Sequence, residues 1–113
     1  MALSSVLAML FNTAWAAGTP PQELLEKYRC TICHAESVAA AGPAWVDIAT
    51  HYLGEQQANK LLADKIRSGA HGGGPWHMPP HPEVSEADAA TLARYILSTK
   101  IEPVDTTPGK RRP

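Results

Sequence analysis

Apolar residues recur at helical spacing in four segments of the chain, while alternating strand-like patterns are missing. The first segment follows a pair of prolines and covers residues 22–29, where early acidic and later basic residues match the helix dipole. The second covers residues 45–53 and ends at Gly54, a residue type that commonly terminates helices. Its apolar face is predicted to consist of Trp45, Ile48, Ala49, Tyr52 and Leu53. Together these segments predict the first two helices of an all-α domain.

Two further helices are predicted in the second half of the chain. Residues 56–68 place apolar side chains on one stripe and stop before Gly69. The last helix has the clearest pattern, because Ser85 and Asp88 resemble a capping box and apolar residues then recur every three or four positions to near Lys100. We expect this last helix to pack across the first.

The two ends of the chain have different compositions from the helical region. Residues 2–11 form an apolar run and Ala14-Trp15-Ala16 supplies the small residues of a signal-peptidase site, so residues 1–17 are predicted to be a secretory signal peptide and the protein to be exported. The run lacks a nearby Lys or Arg, and it is shorter than the roughly 20 apolar residues of a membrane anchor, which is the alternative. Residues 18–100 then form one domain, and the proline-rich, basic residues 101–113 a flexible tail.

The overall charge does not point to a polyanionic partner. The chain has 113 residues, with ten Lys and Arg against eleven Asp and Glu, for a net charge of −1. This balance gives no sign of nucleic-acid binding, and it does not indicate the charge of a protein partner.

The only two cysteines lie in Cys30-Thr31-Ile32-Cys33-His34, a pattern typical of covalent haem c attachment. Two thiols at this spacing can form thioethers to one porphyrin, and the following imidazole can then bind the iron. The alternatives are a redox dithiol or half of a zinc site. The chain has neither a βαβ pattern nor a second cysteine pair, so both alternatives are weaker.

Met78, in Met78-Pro79-Pro80, is the candidate for the sixth ligand of the iron. The other methionines, Met1 and Met9, fall in the predicted signal peptide, and the two prolines would restrict the loop that carries the thioether. A loop methionine that merely packs on the core is the alternative.

The remaining histidines offer rival chemistry. A bis-histidine haem could use any one of four side chains, and His71, His77 and His81 could together form a second metal site, although solvated surface positions are the ordinary role of such histidines. The four are His51, His71, His77 and His81.

These motifs, with Gly42-Pro43 and the closing residues 92–97, resemble the short bacterial class I cytochromes c, the c-551 and c-552 type, over residues 20–100. The resemblance implies an all-α cytochrome c fold of about four helices around one haem, with His34 and Met78 as axial ligands. It further implies that Pro43 accepts a hydrogen bond from His34 and that Tyr95 lies between the first and last helices.

The sequence departs from the family pattern around the haem propionates. Many members carry a tryptophan several residues before the methionine, whereas Trp76 is two residues before Met78. The basic residue that meets a propionate in the family would be Lys65 or Arg67 here.

The resemblance implies a periplasmic one-electron carrier rather than an enzyme, and we expect this carrier to be a monomer. Unidentified redox proteins would donate and accept the electron near the exposed haem edge. The alternatives are a haem subunit fixed to a larger oxidoreductase and, for an open sixth position, an enzyme or gas sensor.

Overall fold

The computed structural model describes residues 18–71 and 77–100. Within them the chain forms four α-helices, a 3₁₀ turn and one antiparallel hairpin, so the prediction of an all-α fold of about four helices is confirmed. In chain order the elements are α1 (Pro21–Lys27), the 3₁₀ turn (Cys30–Ile32), α2 (Trp45–His51), α3 (Ala58–Ser68), β1 (Ala70–His71), β2 (His77–Met78) and α4 (Glu86–Ser98). The predicted signal peptide, the predicted tail and Trp76 lie outside the described residues.

The first two helices end earlier than their sequence patterns predict. Helix α1 stops at Lys27 because Arg29 adopts a left-handed conformation, with φ 57° and ψ 33°. This bend separates α1 from the turn that begins at Cys30. Helix α2 ends at His51, and Leu53 beyond it is 79% exposed, so the expectation that Leu53 lies on the apolar face was wrong.

Helix α4 contacts each of the other three helices and organises the domain. The predicted cap is present, since the Ser85 hydroxyl accepts a hydrogen bond of 3.1 Å from the Asp88 backbone N–H. Ala89 and Ala93 are completely buried, and their small side chains let neighbouring helices approach closely. The expected packing of α4 against α1 is confirmed.

The apolar core lies between α4 and the other helices. Leu24, Leu92 and Val84 are its largest fully buried side chains. Cys30 and Met78 are partly buried against this same core, although they are 48 positions apart in the chain. The fold therefore brings the two chemical motifs to one apolar centre.

No helix in the described part of the chain combines the length and the apolar character that a membrane span requires.

Candidate haem site

The cysteine motif forms a tight turn directly after α1. The backbone N–H groups of Cys33 and His34 both donate to the Cys30 carbonyl, at 3.3 and 3.1 Å. Cys30 is half-buried, Cys33 is exposed, and neither forms a disulfide. Burial raises the pKa of the Cys30 thiol, and the Glu83 carboxylate acts in the same direction. A redox dithiol needs a lowered thiol pKa, so this environment does not favour that alternative.

The His34 imidazole is oriented by two contacts. Its Nδ1 lies 2.7 Å from the Pro43 carbonyl oxygen, so the Nδ1–H tautomer donates there and the Nε2 lone pair remains available. One ring face stacks on Trp45, with centroids 4.6 Å apart and planes inclined by 21°. The sequence pattern places Trp45 only on a helix face. Its position two residues after Pro43, which contacts the same imidazole, is the one sequence feature that indicates its stacking on His34.

Gly42 provides the space that this imidazole occupies. A Cβ at this position would lie only 2.5 Å from His34 Cε1, which no side chain can accept without displacement. The Gly42 N–H also donates to the Cys33 carbonyl at 2.7 Å, so the loop and the cysteine turn are joined. Glycine is therefore required here by close approach rather than by its backbone angles.

Met78 lies on β2, paired with Ala70 on β1, rather than in an irregular loop. It is half-buried against the core, whereas the preceding His77 is exposed. The hairpin is held close to the end of α3 by Gly69, at φ 83° and ψ 168°, where a Cβ would lie 2.8 Å from the Met78 carbonyl oxygen. The conformation of Gly69 is essentially restricted to glycine.

The other histidines occupy separate surroundings. His71 and His77 face each other across the hairpin, with ring centroids 5.8 Å apart. His81 interacts with Glu83 at 3.1 Å, and the pKa of Glu83 is lowered by a hydrogen bond from its own backbone and by His81. His51 is exposed on α2. Among the described residues no three Cys, His, Asp or Glu side chains are grouped to hold a metal ion, so the alternative of a second metal site from His71, His77 and His81 is not formed.

The two basic residues proposed near the propionates point to different neighbours. Arg67 donates from Nε to the Val84 carbonyl at 2.9 Å and lies 3.4 Å from the Glu86 carboxylate. Lys65 instead holds its ammonium 5.3 Å from the ring centre of Tyr52. The Tyr52 hydroxyl is buried and has no hydrogen-bond partner within the described residues.

These residues fit a covalently attached haem. Two unpaired thiols lie in one turn, an imidazole exposes its free nitrogen, and a thioether is half-buried against the same core. The orphaned Tyr52 hydroxyl is the kind of buried donor that a polar group of a bound cofactor would satisfy. The sequence pattern predicts Tyr52 only as a residue on an apolar helix face, and no feature of the sequence indicates a cofactor contact for its hydroxyl.

Comparisons with known proteins agree with this geometry. The family model described as "Cytochrome c" matches residues 20–100. The chain is 40% identical over 103 residues to cytochrome c-551 of Pseudomonas aeruginosa, covering 88% of this chain and 96% of that protein. It is 42% identical over 79 residues to cytochrome c-552 of Nitrosomonas europaea, covering 69% of this chain and 77% of that protein. The crystal structure of wild-type Nitrosomonas europaea cytochrome c552 superimposes with a TM-score of 0.68 at 41% identity, covering 70% of this chain and 99% of that one.

Proposed function

This chain belongs to the cytochrome c family, as a small class I c-type cytochrome, and we propose that it is a periplasmic one-electron carrier with His34 and Met78 as axial ligands. The family consists of electron-transfer proteins rather than enzymes, and it binds one haem c covalently through the Cys-x-x-Cys-His motif. In this chain that motif is Cys30 to His34. When bound, haem c supplies a reversible one-electron change at its iron.

The protein's own residues hold the ligands in place. Cys30 and Cys33 are proposed to form the two thioether bonds. The hydrogen bond from His34 to the Pro43 carbonyl keeps the imidazole in one tautomer and makes its free nitrogen a stronger donor. Stacking on Trp45 packs one face of the ring and restricts its rotation. The ligand is therefore oriented in advance of iron binding.

The assignment of Met78 as the sixth ligand rests on the alternation of side chains along β2. Successive residues of a strand point to opposite faces, and here Met78 is on the half-buried face while His77 is exposed. Met78 packs on the same core as Cys30. This supports the thioether of Met78 over the imidazole of His77, and it disfavours a bis-histidine haem and an open sixth position.

Solvent access to the attachment turn supports electron exchange with other proteins. Cys33 is exposed, and Ile32 beside it is 69% exposed. An electron carrier needs one edge of its cofactor near the surface, while filled axial positions keep substrates from the iron. We therefore propose that the protein acts as a monomer and meets its redox partners transiently on this side.

The proposed compartment rests on the sequence of residues 1–17. Their apolar run and small residues fit a signal peptide, and periplasmic export follows from it. N-terminal sequencing of the protein recovered from a periplasmic fraction tests this proposal. A chain that begins near residue 18 is expected, whereas an uncleaved chain in the membrane fraction contradicts it.

The axial ligands are tested by absorption spectroscopy of the holoprotein with Met78→Ala and the matched variant His77→Gln. The long-wavelength ferric band typical of the family's sulfur–iron bond should disappear in the first variant and persist in the second. Loss of the band in His77→Gln but not in Met78→Ala would overturn the assignment. Absence of the band from the wild type, with ready binding of carbon monoxide, would favour an enzyme or sensor.

Lys65, rather than Arg67, is proposed to meet a haem propionate together with the Tyr52 hydroxyl. Arg67 is already engaged by Val84 and Glu86, whereas the Lys65 ammonium lies beside Tyr52, whose hydroxyl has no hydrogen-bond partner among residues 18–71 and 77–100. Lys65→Gln should lower the midpoint potential, because it removes a positive charge that favours the reduced iron. Arg67→Gln should change the thermal unfolding temperature more than the potential. The reverse pattern would assign the propionate to Arg67.

A further inference from the structure

Two histidines that do not belong to the haem site form a pair on the outer face of the hairpin. His71 on β1 and His77 on β2 are direct cross-strand partners, and both are exposed. Side chains of directly opposed residues project from the same face of a strand pair. The neighbouring pair, Ala70 and Met78, is half-buried. The two imidazoles therefore lie on the side opposite the proposed axial ligand.

The separation of the two rings suits binding of one metal ion. Imidazole nitrogens bind Zn²⁺ at about 2.0–2.1 Å, and the ring centre lies about 1 Å farther along, so tetrahedral ligation places two ring centres about 5 Å apart. The observed centroids are 5.8 Å apart with planes inclined by 31°. Small rotations of two exposed side chains close this difference. Both strands are held by backbone pairing, so little chain ordering is needed.

We propose that His71 and His77 form a two-histidine site for a divalent transition-metal ion of the Zn²⁺, Ni²⁺ and Cu²⁺ class. Neutral imidazole is a preferred ligand for these ions. No third Cys, His, Asp or Glu side chain is grouped with the pair among residues 18–71 and 77–100, so water completes the coordination. Such a site exchanges its metal readily, unlike a four-ligand structural zinc site.

Binding at this site would join β1 to β2 immediately before Met78. An ion that binds only the folded hairpin stabilises it by mass action. Metal binding here requires the hairpin and both imidazoles. It is compatible with His34 and Met78 as the axial ligands and is excluded only if His71 or His77 itself binds the haem iron.

The test is calorimetric titration of the ferric holoprotein, as isolated after export, with ZnCl₂ in a non-chelating buffer. One ion should bind per chain. His71→Gln and His77→Gln should each weaken that binding at least about tenfold, because the second imidazole of a chelate acts at high effective concentration. The double variant should be little weaker than either single variant, since one histidine alone no longer chelates.

The matched control is His51→Gln, which removes an exposed histidine from α2 and should leave the affinity unchanged. Cu²⁺ bound to the wild type should show electron paramagnetic resonance couplings to two nitrogens, and to fewer in His77→Gln. If each single variant binds fewer ions per chain but with unchanged affinity, the two histidines bind metal independently and the proposal is wrong. An equal loss of affinity in His51→Gln would also overturn it.

Discussion

The His34 imidazole, the proposed axial ligand, shows how neighbouring residues can orient a side chain before it binds iron. Pro43 accepts its Nδ1 proton, Trp45 covers one ring face, and Gly42 lies against the ring at a distance that leaves no room for a methyl group. A histidine free to rotate would lose side-chain entropy when it binds iron. The three neighbours reduce that loss, because they order the ring beforehand.

Gly42→Ala is expected to displace the His34 ring and destabilise the holoprotein by about 1–3 kcal/mol, the usual cost of overpacking. The added Cβ would lie 2.5 Å from Cε1 and 2.8 Å from Nδ1 of His34. Denaturant unfolding followed by the haem absorption measures the effect. Gly18→Ala is the control, since a Cβ at Gly18 meets nothing within 4 Å. Equal stability of the two variants would show that the loop simply moves aside.

At the scale of elements, α1 and α4 are joined by a polar contact as well as by apolar packing. The Tyr28 hydroxyl donates to Asp88 Oδ2 at 2.6 Å, and the Lys27 ammonium lies 3.7 Å from the same oxygen. Asp88 also lies in the first turn of α4, where its negative charge interacts favourably with the helix dipole and stabilises the helix. The contact therefore links the helix before the cysteine turn to the helix that organises the core.

Tyr28→Phe should lower the free energy of unfolding by about 1–2 kcal/mol, because a partly buried carboxylate loses a hydrogen-bond donor. Chemical denaturation of the holoprotein measures this change. Tyr95→Phe is the matched control, as no hydrogen bond to the Tyr95 hydroxyl is found within the described residues, and its cost should be below about 0.5 kcal/mol. Similar losses in both variants would show that the Tyr28 hydroxyl contributes no specific link.

The junction between α3 and the hairpin depends on Gly69. Gly69→Ala should cost about 1–3 kcal/mol from backbone strain and more from the collision with the Met78 carbonyl. Gly54 also has a positive φ, of 79°, but a Cβ at Gly54 meets nothing within 4 Å. Gly54→Ala should therefore be the milder change. Thermal unfolding compares the two, and the ferric sulfur–iron band should weaken only in Gly69→Ala. A larger loss in Gly54→Ala would contradict this account.

At the scale of the whole molecule, the described domain is too small to build a large core from its own side chains. The core lies beside half-buried Cys30 and Met78, and the Tyr52 hydroxyl is buried with no hydrogen-bond partner in the described part of the chain. A covalently bound haem would add apolar surface at this centre. The cofactor is therefore expected to contribute to folding as well as to electron transfer.

The double variant Cys30→Ala and Cys33→Ala, which cannot attach haem, should unfold at a much lower temperature than the holoprotein and lose part of its helical circular dichroism. The physical reason is the loss of apolar burial at the centre of the domain. The matched variant His51→Gln, which keeps both thiols, should retain the unfolding temperature of the wild type. A haem-free double variant with wild-type stability would show that the protein core suffices.

The sequence by itself determined the four helices, the attachment motif and the candidate axial pair, because these depend on local spacing and on residue chemistry. Helical periodicity and capping are properties of neighbouring positions, and only one methionine lies beyond the predicted signal peptide. The predicted helix ends were less accurate, because nothing about an arginine in the sequence indicates that Arg29 adopts a left-handed conformation.

The tertiary structure decided the relations between residues that are distant in the chain. It gave Lys65 and Arg67 different neighbours and placed Trp45 against His34. It also turned Met78 inward and His77 outward, on a strand that the glycine- and proline-rich sequence did not predict. It also brought His71 opposite His77 and left His81 with Glu83. Such choices depend on packing and strand register, which arise only when the whole chain has folded.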